Sequence, residues 1–136
     1  MNRILKVLII SIPLLLNSFV IFSQARVGSS ASDIKEEYAE SRYNLKDGYD
    51  KDNDYYIKIT TVDATVYYYF NADKICTITE IIPDNQGSLN SFVEIYNKRY
   101  VIISSTQWKM YSKNGIANIE LIYPKSGGYF FLWTNN

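Results

Sequence analysis

Twice along the chain, over residues 55–82 and again over 106–133, apolar and polar positions alternate with a period of two. Such a pattern would scatter apolar side chains all round a helix, whereas in a strand it gathers them on one face. In the first stretch Tyr55, Ile57 and Ile59 alternate with Tyr56, Lys58 and Thr60, and Val66, Tyr68 and Phe70 alternate with Thr65, Tyr67 and Tyr69. The breaks Val62-Asp63-Ala64 and Asn71-Ala72-Asp73 have hairpin length, and a third strand runs over 74–82 to Pro83. In the second stretch Trp108 and Met110 begin a strand, and Asn114-Gly115 is a strong hairpin signal. Ala117, Ile119, Leu121 and Tyr123 then alternate with Asn118 and Glu120, and a last strand over 129–133 follows Ser126-Gly127-Gly128. Residues 101–104 would add a short extra strand.

One helix precedes each stretch. Ser30, Asp33 and Glu36 supply N-cap and capping-box chemistry for a helix of about ten residues, with Ile34 and Tyr38 inward and Lys35, Glu36, Glu37 and Glu40 outward. The clearer helix carries Leu89, Phe92, Val93 and Tyr96 at helical spacing, with Asn90, Glu94 and Asn97 facing out. Between the first helix and the first strands, the polar residues 41–54, with Gly48 and four aspartates, read as a mobile loop. The matching order suggests two copies of a helix-plus-three-strand unit. Either way the expected class is α+β, an antiparallel sheet with two helices on one face.

Arg3 and Lys6 precede an apolar run over residues 7–22, closed by Ser23, Gln24 and Ala25, which is the order of a secretory signal. The run is shorter than the roughly 20 residues of a membrane span and contains Pro13 and Asn17. The expected organisation is therefore a signal peptide over 1–25 and a single domain over 26–136, exported to the periplasm or secreted. Removing the signal leaves twelve basic residues against fourteen acidic ones, a net charge of about −2. The basic residues are scattered, without the cluster that nucleic-acid phosphates require. Cys76 is the single cysteine and cannot pair within its own chain; its apolar surroundings suit a small buried side chain, while a free thiol or an intermolecular bridge is the other reading.

Val27-Gly28-Ser29-Ser30 leading into Asp33-Ile34, then a helix and antiparallel strands, resembles the repeat of the β-lactamase-inhibitor-protein and SmpA/OmlA outer-membrane lipoprotein group. The residue match covers 27–34 and the wider match is in element order. The resemblance implies a binding module without catalytic residues that recognises a protein. The small, tyrosine-rich chain with its FSQ signal end also resembles secreted proteins of Bacteroidota-type bacteria.

The chain contains no histidine, which excludes Ser-His and Cys-His nucleophile pairs and zinc sites of the common His type. Glu80, Glu94 and Glu120 fall in different elements, with nothing to mark them as one glycosidase cleft. Asp50, Asp52 and Asp54 have the spacing that begins a calcium loop, but Tyr55 stands where glycine is needed and Thr61 where the bidentate glutamate belongs. No enzyme activity, cofactor or metal is expected.

What remains is aromatic content: thirteen tyrosines, three of them consecutive at 67–69. Alternation sends Tyr68 inward and leaves Tyr67 and Tyr69 on the other face, where Tyr56 and Tyr111 could join them. Tyrosine combines a large contact area with a polar tip, which suits recognition, although it is equally a good strand residue that simply covers a sheet. The expectation is a non-catalytic module binding a protein partner through Tyr56, Tyr67, Tyr69 and Tyr111. The alternative is a carbohydrate-binding or carbohydrate-processing envelope protein in which the same rings stack on sugars beside a carboxylate.

Overall fold

The computed structural model describes residues 25–113 and 115–136. The signal-peptide reading of residues 1–24, and Asn114 of the expected hairpin turn, lie outside the described residues. Ser30 caps α1 (Ala31–Glu37), its hydroxyl accepting from the Asp33 N–H at 3.1 Å. The helix is shorter than expected because Tyr38 already closes it, its N–H turned onto the carbonyls of Ile34 and Glu36. Asn85 caps α2 (Gln86–Arg99) in the same way, accepting from Ser88 N–H at 2.9 Å, and Lys98 and Arg99 in the last turn complement the helix dipole.

Eight strands form one antiparallel sheet: β1 (Lys46–Tyr49), β2 (Tyr55–Thr60), β3 (Ala64–Phe70), β4 (Cys76–Pro83), β5 (Val101–Ser104), β6 (Gln107–Ser112), β7 (Gly115–Ile122) and β8 (Phe130–Asn135). Their spatial order is β1-β2-β3-β4-β8-β7-β6-β5. Each helix is thus followed by a four-strand meander, and the last strands of the two halves, β4 and β8, pair at the centre. In the second half the leading strand is β5, the short extra strand expected over 101–104, whereas the first half carries one strand more than the three expected. The additional leading strand of the first half corrects the reading of 41–54 as a mobile loop: a single 3-10 turn occupies Ser41–Tyr43, and Lys46–Tyr49 pairs with β2. No alternation marks β1, because this edge strand buries almost nothing itself; side chains of its neighbours hold it, Tyr55 Oη donating to Asp47 at 2.7 Å and Lys35 pairing with Asp47 at 2.9 Å. Asp50 then turns the chain into β2, one carboxylate oxygen accepting from the N–H groups of Asp52 and Asp54, both at 2.9 Å.

Both helices pack on the same face. Tyr38 at the C-cap of α1 stacks on Tyr68 of β3 with ring centroids 6.1 Å apart, and Phe92 of α2 meets Phe131 of β8 at 5.7 Å. The two halves share their element order, and the inward residues of both helices, Ala31, Ile34 and Tyr38 in the first half and Leu89, Phe92 and Tyr96 in the second, follow the spacing of three then four that puts them on one helix face. Beneath them Ile57, Ile59, Val66, Tyr68, Ile81 and Phe131 are fully buried, each contributing about 1.5–3 kcal/mol. Cys76 is buried too, its thiol within 3.5 Å of the Thr79 hydroxyl, and burial pushes its pKa up. The lead-in to α1 is stitched to β4: Gly28 N–H donates to Cys76 O at 2.7 Å and Cys76 N–H to Ser29 O at 2.8 Å.

Candidate recognition surface

The face of the sheet turned away from the helices is set by the strand register. Directly opposed residues point the same way, so the pairings Tyr56↔Tyr69↔Ile78↔Thr134 define one row across it, and Lys58↔Tyr67↔Glu80↔Leu132↔Glu120 define the next. Tyr56, Tyr67 and Tyr69 lie on this open face, as their alternation predicts, and each is half-buried. Their rings touch one another. Tyr67 and Tyr69 stack with centroids 6.4 Å apart and planes 16° apart, while Tyr56 on β2 faces both, 6.0 Å from Tyr67 and 6.4 Å from Tyr69. Gly48 lies opposite Tyr56 on β1, and a Cβ there would make ordinary contact with the Tyr56 ring, 3.5 Å from its hydroxyl.

Tyr111 shares the face but not the cluster. It pairs with Ile116 in the β6–β7 hairpin, and the order β2-β3-β4-β8-β7-β6 puts five strand steps, roughly 24 Å, between it and Tyr56. Alternation fixes which face a residue takes and carries no information on which strands become neighbours. Tyr111 therefore stands apart from the other three tyrosines, 59% exposed.

Alternation also hid part of the surface. Ile78 on β4 and Leu132 on β8 lie on the open face, together with Ile82, Ile122 and Phe130, although Thr79, Ile81, Phe131 and Trp133 of the same central strands fill the other side. The signal was present in the sequence as apolar residues at both parities, the mark of a strand that packs on two sides.

Glu80 sits in the middle of this surface, half-buried, between Tyr67 on β3 and Leu132 on β8. Burial alone raises its pKa. The Tyr69 hydroxyl is also pushed up, first by its own burial and then by the charge of Glu80. Lys58 extends its ammonium over the Tyr67 ring, 5.6 Å from the centroid.

On the helix side, a hollow of about 530 Å3 lies between α2 and the end of β7, lined by Leu89, Val93, Leu121 and Tyr123. Its carboxylate, Glu94, is paired with Lys98 at 2.9 Å. Glu80, Glu94 and Glu120 do not converge: Glu80 and Glu120 flank Leu132 on the open face, and Glu94 belongs to the helix layer. Comparison of the chain with protein-family models, with curated proteins and with solved structures finds no match.

Proposed function

We propose that the chain is an exported, non-catalytic binding module that takes a protein partner on its open sheet face, through Tyr56, Tyr67 and Tyr69. The observation that carries this reading is the mutual packing of the three rings on a face that neither helix covers. Rings held by one another lose little entropy on binding, and aromatic residues are enriched at interface cores. Ile78 and Leu132 continue the surface across the central strands. The patch leaves out Tyr111.

Export to the periplasm or the exterior belongs to the proposal. Arg26, the first residue beyond the expected cleavage, is held to the domain through two hydrogen bonds to the Glu37 carboxylate. Among the described residues no helix is long and apolar enough to cross a membrane.

The test is affinity capture from an envelope extract with the full chain, expressed from Met1 with a C-terminal tag, in parallel with a Tyr67→Ala/Tyr69→Ala variant. A protein retained by the wild type and lost by the folded variant supports the reading. The same material on both overturns it. A carbohydrate held by the wild type alone, in a glycan screen of the same pair, would move the assignment to the alternative.

A further inference from the structure

Tyrosine rings and a carboxylate meet on both faces of the first half of the sheet, and the two groups differ in one component. On the helix side Asp47 is bonded by Tyr55 and Lys35, and Lys74 stands 3.7 Å above the centre of the Tyr55 ring. Carboxylate, ring face and cation are all supplied there by the chain itself. On the open side Glu80 has Tyr67 directly opposite, Tyr69 on the diagonal and Leu132 on its other flank. None of the ion pairs among the described residues includes it. Lys58, the nearest cation in its row, rests on the Tyr67 ring instead.

A half-buried carboxylate without a cation is unfavourable, and the deficit is removed when a partner brings one. Arginine fits this place best: its planar guanidinium can fork onto a carboxylate while lying against a tyrosine ring, which an ammonium cannot do. Glu120, beyond Leu132 in the same row, adds a second negative charge to the face. The net charge of about −2 over residues 26–136 also favours a basic partner. Resting on the reading of the open face as the recognition surface, we propose that Glu80, with the rings of Tyr67 and Tyr69 and the flank of Leu132, seats an arginine side chain of the partner protein.

The seat is tested with defined probes on the full chain expressed from Met1. Acetyl-arginine-amide is titrated against its uncharged isostere acetyl-citrulline-amide and against cellobiose, and the Tyr67, Tyr69 and Leu132 signals are followed by NMR. The arginine compound is expected to bind at least tenfold more tightly than the citrulline compound. Glu80→Gln, with an otherwise unchanged spectrum, is expected to abolish that preference, and Lys58→Met to keep or strengthen it. Equal affinity for citrulline, binding that survives Glu80→Gln, or tighter binding of cellobiose at these tyrosines overturns the proposal. Capture with Glu80→Gln separates the two readings. A partner kept by this variant but lost by Tyr67→Ala/Tyr69→Ala removes the arginine seat and leaves the recognition surface standing, whereas a partner indifferent to the tyrosines removes both.

Discussion

The indole N–H of Trp108 donates to the Asn97 side-chain oxygen at 2.8 Å, joining the start of β6 to the outward side of α2. Trp108 is 1% exposed, so its single donor needs a partner within the fold. Asn97, read from helical spacing as a solvent-facing residue, supplies it. Asn97→Ala is expected to cost about 1 kcal/mol in urea denaturation. In a Trp108→Phe background the same substitution should cost nearly nothing, and a double-mutant cycle measures the difference.

Three consecutive tyrosines on β3 divide between the two faces. Tyr68 is fully buried under Tyr38, while Tyr67 and Tyr69 are half-buried on the open side. Tyr68→Ala is therefore expected to cost about 3–5 kcal/mol, enough to unfold much of the population. Tyr67→Ala and Tyr69→Ala each lose ring contacts on an open face and should cost about 1 kcal/mol or less. Thermal melts of the three variants check this; equal losses would mean that the face assignment is wrong.

Two carboxylates give stability opposite dependences on pH. Burial raises the Glu80 pKa, so the folded chain holds that proton more tightly than the unfolded chain does. Its contribution is complete below the unfolded value of about 4.3 and is lost as pH rises through the folded value. Asp47 is lowered, first by its bond to Lys35 and then by Tyr55. Its contribution is present above the unfolded value of about 3.9 and is lost as pH falls through the folded value. Urea midpoints between pH 3 and 8 should show Glu80→Gln flattening the decline toward neutrality and becoming more stable than wild type at pH 7. Asp47→Asn should flatten the decline on the acid side.

Period-two alternation made β2, β3, β6 and β7 legible, since each has one buried face, and it assigned Tyr56, Tyr67 and Tyr69 to the correct side. It failed at the two extremes of burial. On β1 the residues Lys46, Asp47 and Gly48 precede a single aromatic, the exposed Tyr49, so there is no alternation to read, and the strand exists because β2 and α1 offer it bonds. On β4 and β8 both faces carry apolar residues, so Ile78 and Leu132 were indistinguishable from core. The β4–β8 pairing that joins the halves was out of reach of a local pattern, since it connects residues about fifty positions apart, and it is that pairing which places Tyr111 far from the other tyrosines.

The two edges of the sheet are unequally protected. β1 ends one side with Lys46, Asp47, Gly48 and the exposed Tyr49, where two charges and a glycine discourage a further strand. β5 ends the other with Val101, Ile102 and Ile103, which are 49%, 55% and 51% exposed. An uncharged, β-branched edge with free backbone groups favours pairing with another chain at high concentration. Ile102 faces Trp108 across the β5–β6 register, whereas Ile103 falls at the irregularity between Ile102 and Ser104 and has no opposed residue. A charge at Ile103 should therefore disturb the fold least. Ile103→Lys is expected to leave the melting temperature within about 2 °C of wild type, as an exposed substitution changes stability by about 0.5 kcal/mol or less. It should also lower concentration-dependent association in sedimentation velocity. Lys46→Ile on the opposite edge should raise association; if neither variant changes it, edge pairing is not how the chain associates.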